Sequence, residues 1–211
     1  LNDHFWSNLE TISAEARRVG KPFWAFALAT AHGSYPIPTI DHLRLQLYAD
    51  LAYGAQCLQY FTYWNPGTET WNFHQAPVTQ DGLRSPVYEL VREMNREIQA
   101  RADVFLGAQV TSVRHTGKDI PMGTQRLENL PPHIFQLDTH GQGALVSCLT
   151  NKGKKYVVIQ NTSVTNSLQA DIKTDGQLAL VLPDGTRQPA ALSGPLFILT
   201  PGNVLILEKE K

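Results

Sequence analysis

Apolar residues recur at intervals of three and four near the start of the chain, at Phe5, Leu9, Ile12, Ala16 and Val19. This spacing predicts an amphipathic helix with Glu10, Glu15, Arg17 and Arg18 turned to solvent. Gly20 and Pro22 predict its end. Residues 23–29 are apolar at every position, the pattern of a strand buried on both faces. Thr39 predicts an N-cap, Asp41 favours the first turn, and Ile40, Leu43, Leu47 and Leu51 predict a second helix ending near Gly54. Residues 57–64, CLQYFTYW, predict an aromatic-rich second strand. A polar stretch of about twenty residues follows, well above the usual four to six, and such loops commonly carry function. Ser85-Pro86 then predicts the start of a third helix, with Val87, Leu90, Val91, Met94 and Ile98 on its inner face. Glu89, Glu93, Glu97 and Asp103 fall on its solvated side.

Residues 1–103 therefore read as helix, strand, helix, strand, helix, which implies parallel strands joined by right-handed crossovers. Two strands cannot stand as a sheet by themselves, so something else must cover them. After residue 104 the rhythm changes to short β-rich runs: VFLGAQVTSVRH, GALVSCLT, KYVVIQNTS, QADI, LALVLP, LFILT and VLILE. Turn signals at Asn151-Lys-Gly, Asp175-Gly, Asp184-Gly and Pro201-Gly-Asn separate them, and Pro131-Pro132 marks a looser joining segment. That predicts an antiparallel β-sandwich. The expected fold class is α/β plus all-β, in two modules spanning residues 1–103 and 104–211.

Composition narrows the function more than the fold. Eighteen Lys and Arg balance nineteen Asp and Glu, for a formal charge of -1, and no basic run occurs. The electrostatic footprint of a nucleic-acid partner is absent. No apolar stretch reaches the length of a membrane span, and no signal-peptide pattern is visible. The chain opens at Leu1 without Met, so an upstream segment is expected. Cys57 and Cys148 each sit in an apolar run and read as buried free thiols; nothing in their spacing calls for a metal or another cofactor. Asn161-Thr-Ser matches a glycosylation sequon, of consequence only in a secreted eukaryotic chain.

The stretches LRLQLYADLAYGAQCLQYFTYW, ETWNFHQAPVTQDG and SPVYELVREMNREI, in that order, resemble the end of a glycoside hydrolase barrel of the family 42 type. Ala52, Tyr53, Gly54 and Ala55 match the turn that feeds the eighth strand, Tyr60 to Trp64 its aromatic end, and Phe73-His74 the loop pair that follows. SGPLFILTPGNVLILE is similar to the closing strands of the sandwich in many glycosidases. The resemblance implies a partial TIM (β/α)8 barrel, with residues 23–29 as its seventh strand and 57–64 as its eighth, followed by the β-sandwich. A complete barrel takes roughly 250 residues. The first six strands are then expected in a missing N-terminal barrel half of the same parent chain, or from another chain in a homo-oligomer. A periplasmic or extracellular location suits a polysaccharide-degrading parent, although the compartment is left open.

Retaining glycosidases use two carboxyl groups roughly 5 to 5.5 Å apart. In this family they stand on the fourth and seventh strands. The fourth lies outside this chain, and the seventh departs from the pattern: residues 21–39 hold no Asp or Glu, and the nucleophile's place falls near Ala27 or Ala29. The catalytic residues are therefore unknown, and the chain alone is expected to be inactive. For a carbohydrate substrate the candidate contacts are His32, Tyr35, Trp64, Glu69, Trp71 and His74. His32 reads as a hydrogen-bonding partner of a hydroxyl, as an acid/base, or as a loop histidine satisfied locally, and His74 as a ligand contact or a structural histidine. Trp64 and Trp71 read as stacking platforms for a pyranose face or as packed aromatics. Glu69 is the nearest counterpart of a family loop acid, displaced by two residues, while Asp81-Gly82 reads as a turn. A barrel that binds sugar after losing its nucleophile is the alternative to an enzyme.

Overall fold

The computed structural model describes residues 4–190 and 197–209. Helix α1 (Phe5–Val19), strand β1 (Trp24–Leu28), helix α2 (Ile40–Tyr53), strand β2 (Cys57–Phe61) and helix α3 (Pro86–Ala100) follow in the predicted order, with one further turn at α4 (Ala102–Phe105). The local signals explain the boundaries. Gly20 and Gly54 close α1 and α2 in the left-handed conformation that lacks a Cβ penalty. Thr39 Oγ1 accepts from the His42 N–H while the His42 ring accepts from the Thr39 N–H, a reciprocal cap. Ser85 Oγ accepts from the Val87 N–H ahead of Pro86. β1 and β2 pair in parallel, from Trp24 opposite Cys57 to Leu28 opposite Phe61.

The remaining strands are β3 (Gln109–Thr116), β4 (Ile134–Asp138), β5 (Ala144–Asn151), β6 (Lys154–Asn161), β7 (Leu168–Thr174), β8 (Ala179–Val181), β9 (Arg187–Pro189), β10 (Phe197–Leu199) and β11 (Val204–Lys209). They form a six-stranded sheet, β3-β5-β6-β11-β8-β9, and a three-stranded sheet, β10-β7-β4, with every pairing antiparallel. The two sheets face each other as a β-sandwich around Ile134, Val146, Ile159, Ile172 and Leu207. Because side chains alternate along a strand, the same six-stranded sheet turns Leu145, Tyr156, Val158 and Ile206 outward. These pack with α2 into a second core. Ser147 Oγ donates to Ala52 O at 2.7 Å, and Gln160 Nε2 donates to Leu45 O at 3.0 Å, so the helix backbone is stitched to the sheet.

Several expectations change here, each for a tertiary reason. The strand expected to be buried on both faces is buried on one: Trp24 and Phe26 are 65% and 60% exposed, while Ala27 is fully buried against the helices. In α1 the buried residues are Trp6, Leu9 and Ser13, and the predicted inner residues Ile12 and Val19 are exposed. α2 carries more than a stripe; it is enclosed from Leu45 through Tyr53 because it lies between the parallel strands and the six-stranded sheet. Glu97 is buried rather than solvated, held by Tyr48, Arg44 and Arg101. β4 forms inside the segment read as a loose joiner, β9 carries no sequence signal, and the run beginning at Val104 starts as a helical turn. Both cysteines are free thiols, half-buried rather than buried. Asn161 is buried and its side-chain amide donates to Asn166 O, Leu199 O and Thr200 O, so the sequon is spent on the fold. Residues 193–196 of the proposed closing strands lie outside the described residues. Among the described residues the structure is a mixed fold of mostly antiparallel sheet, with one parallel strand pair and its helices.

Candidate functional site

The C-terminal ends of β1 and β2 point the same way, and the loops that leave them are joined. The Ala31 N–H donates to His74 O at 3.1 Å and the His74 N–H returns to Ala31 O at 3.0 Å. The Gly33 N–H donates to Trp71 O at 2.8 Å, and His32 and Tyr35 exchange backbone bonds across a tight turn. Under that turn Thr30 Oγ1 donates to Thr62 O at 2.9 Å, tying the two strand ends together. The Phe61–Thr62 peptide is cis.

This lattice gathers an aromatic cluster. The His32 ring stacks on Phe73 with centroids 4.8 Å apart, lies 5.0 Å from Tyr35 and meets Phe61 edge-on at 5.7 Å. His32 Nδ1 lies 3.0 Å from Thr30 O, and His74 Nδ1 lies 2.7 Å from Asn72 O. A carbonyl oxygen only accepts, so each neutral ring carries its proton on Nδ1 and keeps Nε2 as its acceptor. Two imidazole acceptors beside flat apolar rings suit a ligand rich in hydroxyl groups. Among the described residues, no carboxylate oxygen pairs with either ring.

Of the six residues picked from sequence, His32 and Tyr35 sit in the cluster, and His74 and Trp71 border it through the backbone bridges. Trp64 is exposed beyond Thr62, whose Oγ1 donates to Trp64 O at 2.7 Å. Glu69 is exposed in the loop and takes no part in the hydrogen bonds that build the cluster. Tyr60 turns away from it, donating to Asn95 Oδ1 on α3 at 2.8 Å. Ala27 and Ala29 are fully buried toward the helices. Sequence reasoning missed Phe61 and Phe73 as walls of the cluster, although Phe73 stood in the quoted Phe-His pair. It also did not single out Asp50 on α2. Asp50 is 2% exposed, its Oδ2 has no hydrogen-bond partner among the described residues, and burial holds its carboxyl well above the usual carboxylate range.

No protein-family model matches the chain, and no curated protein matches it. Among solved structures it has a weak likeness to the gamma-CGTase of an alkalophilic Bacillus clarkii, a glycoside hydrolase-type enzyme. The TM-score is 0.38 at 12% identity, covering 96% of this chain. The chain spans 29% of the length of that protein. A likeness this slight carries no argument below.

Proposed function

We propose that the chain is the C-terminal part of a family 42-like, β-galactosidase-type glycoside hydrolase acting on oligosaccharides. On this reading residues 1–103 end a partial TIM barrel, β1 and β2 are its seventh and eighth strands, and residues 104–211 are an appended sandwich. The observation that carries it is the histidine and aromatic cluster at the C-terminal ends of two parallel strands, the end at which barrel enzymes build their sites. His32, Tyr35, Trp71 and His74 hold the sugar, with Trp64 and Glu69 at the rim. The chain's own residues bind and orient: imidazole Nε2 atoms accept from hydroxyls, and ring faces cover the apolar side of a pyranose. The catalytic acid/base belongs to the missing upstream half of the barrel, from the same parent or a second copy.

The second reading, a barrel that binds sugar without cleaving it, is favoured by one observation. The strand that should carry the nucleophile has buried alanines at positions 27 and 29 and no acid from residue 21 to 39. Assays of the full-length parent on aryl β-galactosides, beside calorimetric titration with galactose, separate the two. Turnover that one upstream Glu→Gln change abolishes supports the enzyme, and galactose binding without turnover supports the binding barrel. Neither turnover nor galactose binding would sink both.

A further inference from the structure

Thr30 follows β1 by two residues and is fully buried. Its hydroxyl meets both backbone groups of Thr62. The Thr62 N–H donates to Thr30 Oγ1 at 3.1 Å, and Thr30 Oγ1 donates to Thr62 O at 2.9 Å. The two hydroxyl oxygens lie 3.1 Å apart. Following the protons gives this pair a single direction. The Thr62 hydroxyl has one proton, and Trp64 O, which only accepts, takes it at 2.7 Å. The Thr30 proton is then left for Thr62, and every hydroxyl proton in the chain of contacts is assigned. Any other arrangement leaves a buried polar atom bare, so the pair holds one geometry.

Thr30 reaches the site a second time through its backbone, because Thr30 O is the acceptor for His32 Nδ1 at 3.0 Å. Its carbonyl thus fixes the imidazole that stacks on Phe73, while its hydroxyl holds the residue that anchors Trp64. The neighbours of Trp64 are fastened as well. The Val78 N–H donates to Tyr63 O at 2.9 Å, and Val78 O accepts from the Asn65 N–H at 2.9 Å. The long loop is therefore clamped on both sides of Trp64, and Thr62 sets that clamp against the end of the parallel strands. A half-exposed ring held this way loses little freedom when a ligand covers it.

We propose that Thr30 and Thr62 are positioning residues of the sugar site, a hydroxyl pair that fixes the spacing between the His32 acceptor and the Trp64 ring. Both act through other residues: Thr30 through the His32 imidazole and Thr62, and Thr62 through the carbonyl of Trp64. The pair joins a hydrogen-bonding group inside the cluster to a stacking face at its rim. A pyranose that engages both then meets a preset gap and does not have to order it. The inference rests on the sugar reading of the site and deepens it by naming what holds its two ends in register.

The test compares Thr30→Val, which keeps the shape and removes the hydroxyl, with Thr30→Ser, which keeps the hydroxyl. Calorimetric titration with galactose is expected to show binding about tenfold weaker for Thr30→Val and within about twofold of the original for Thr30→Ser. Thr62→Val should match Thr30→Val, and the double variant should lose no more than about twofold beyond either, because the pair acts as a unit. The ring-nitrogen resonances of His32 and the indole N–H of Trp64 report the same placement in the free protein. Both are expected to shift in Thr30→Val and return in Thr30→Ser, while the His74 ring, held by Asn72 O, stays where it was. Unmoved His32 and Trp64 resonances, losses that add in the double variant, or a Thr30→Ser chain as weak as Thr30→Val overturn the proposal. If Thr30→Val fails to fold, Thr62→Val against Thr62→Ser makes the same comparison. Shifted resonances in a chain that binds no galactose remove the sugar reading and keep the positioning pair. Galactose binding untouched by Thr30→Val removes the pair and keeps the sugar reading.

Discussion

Tyr53 and His115 meet inside the core at 3.0 Å between the phenol oxygen and Nε2. The Tyr53 O–H donates to Glu10 Oε1 at 2.9 Å, so the phenol oxygen accepts from His115 and the ring proton sits on Nε2. Nδ1 is then a bare nitrogen, buried and without a hydrogen-bond partner among the described residues. Trp6 closes the pocket edge-on at 5.0 Å.

Protonating that ring would bury an N–H with nothing to accept it, and burial lowers its pKa to about 4. The unfolded chain, with an ordinary value near 6.5, binds more protons between these limits. Stability therefore falls as pH drops from about 6.5 to about 4, by roughly 3 kcal/mol in all. His115→Gln keeps the donor to Tyr53 and removes the titration. Urea unfolding at pH 7.0 and 4.5 should show the original protein losing about 2 to 3 kcal/mol more than the variant. Equal losses would refute the assignment.

Arg101 and Glu97 form a buried pair at 3.1 Å, both in contact with the Tyr48 hydroxyl, and Arg101 Nε also donates to Leu182 O at 2.9 Å. The arginine thus fastens α3 to the end of β8. Breaking a buried pair leaves a charge without its counterpart, so Arg101→Met is expected to cost about 3 to 5 kcal/mol. Glu97→Gln, which preserves shape and some hydrogen bonding, should cost less. Denaturant midpoints of the two variants give the order, and a loss below about 1 kcal/mol for Arg101→Met contradicts it.

Gly202 sits against the first turns of α2. A Cβ there would lie 2.5 Å from Asp41 O and 2.8 Å from Leu45 N, at a φ of +68°. Gly176 has a similar φ of +72° with nothing within 4 Å. Gly176→Ala should therefore cost only the left-handed backbone strain, about 1 to 2 kcal/mol. Gly202→Ala adds the displacement of the helix and should cost at least about 1 kcal/mol more. Thermal unfolding of the pair measures the difference, and equal melting temperatures would mean that the sheet and helix are not closely docked here.

At the candidate site, the ring of His32 depends on Phe73 for its orientation, whereas Trp71 touches the site through its backbone and leaves its ring exposed. If the cluster receives a pyranose, Trp71→Ala should weaken galactose binding about three- to tenfold by loss of one stacking face. Phe73→Ala should do so as well and should also shift the His32 ring resonances in the free protein. Calorimetry and proton NMR provide both readings. Galactose binding indifferent to Trp71 and Phe73 would move the sugar elsewhere.

Much of the framework was legible because its causes are local. Thr39, Ser85, Pro86, Gly20 and Gly54 act through their own backbone neighbours, and they set the helix ends where expected. The candidate site was legible in part: His32 and Tyr35 leave one strand end and come together through a tight turn. Phe61 and Phe73 were not, since their proximity depends on two loops bridging at Ala31 and His74. Nor was the fate of Glu97, whose helical position looks solvated until Arg101 and Tyr48 enclose it.

The sequence by itself determined the first three helices and the two strands that alternate with them, and that short antiparallel strands follow, though not α4, β4 or β9. Periodicity, capping and turn chemistry are properties of neighbours along the chain, and they survive without a third dimension. Tertiary structure alone decided which faces were covered. The six-stranded sheet enclosed α2 from the side opposite β1, burying it almost all round, while Trp24 and Phe26 on β1 and Ile12 on α1 were left exposed. Burial is set by what arrives from far along the chain. An apolar pattern records that a face needs a partner and not whether one is there.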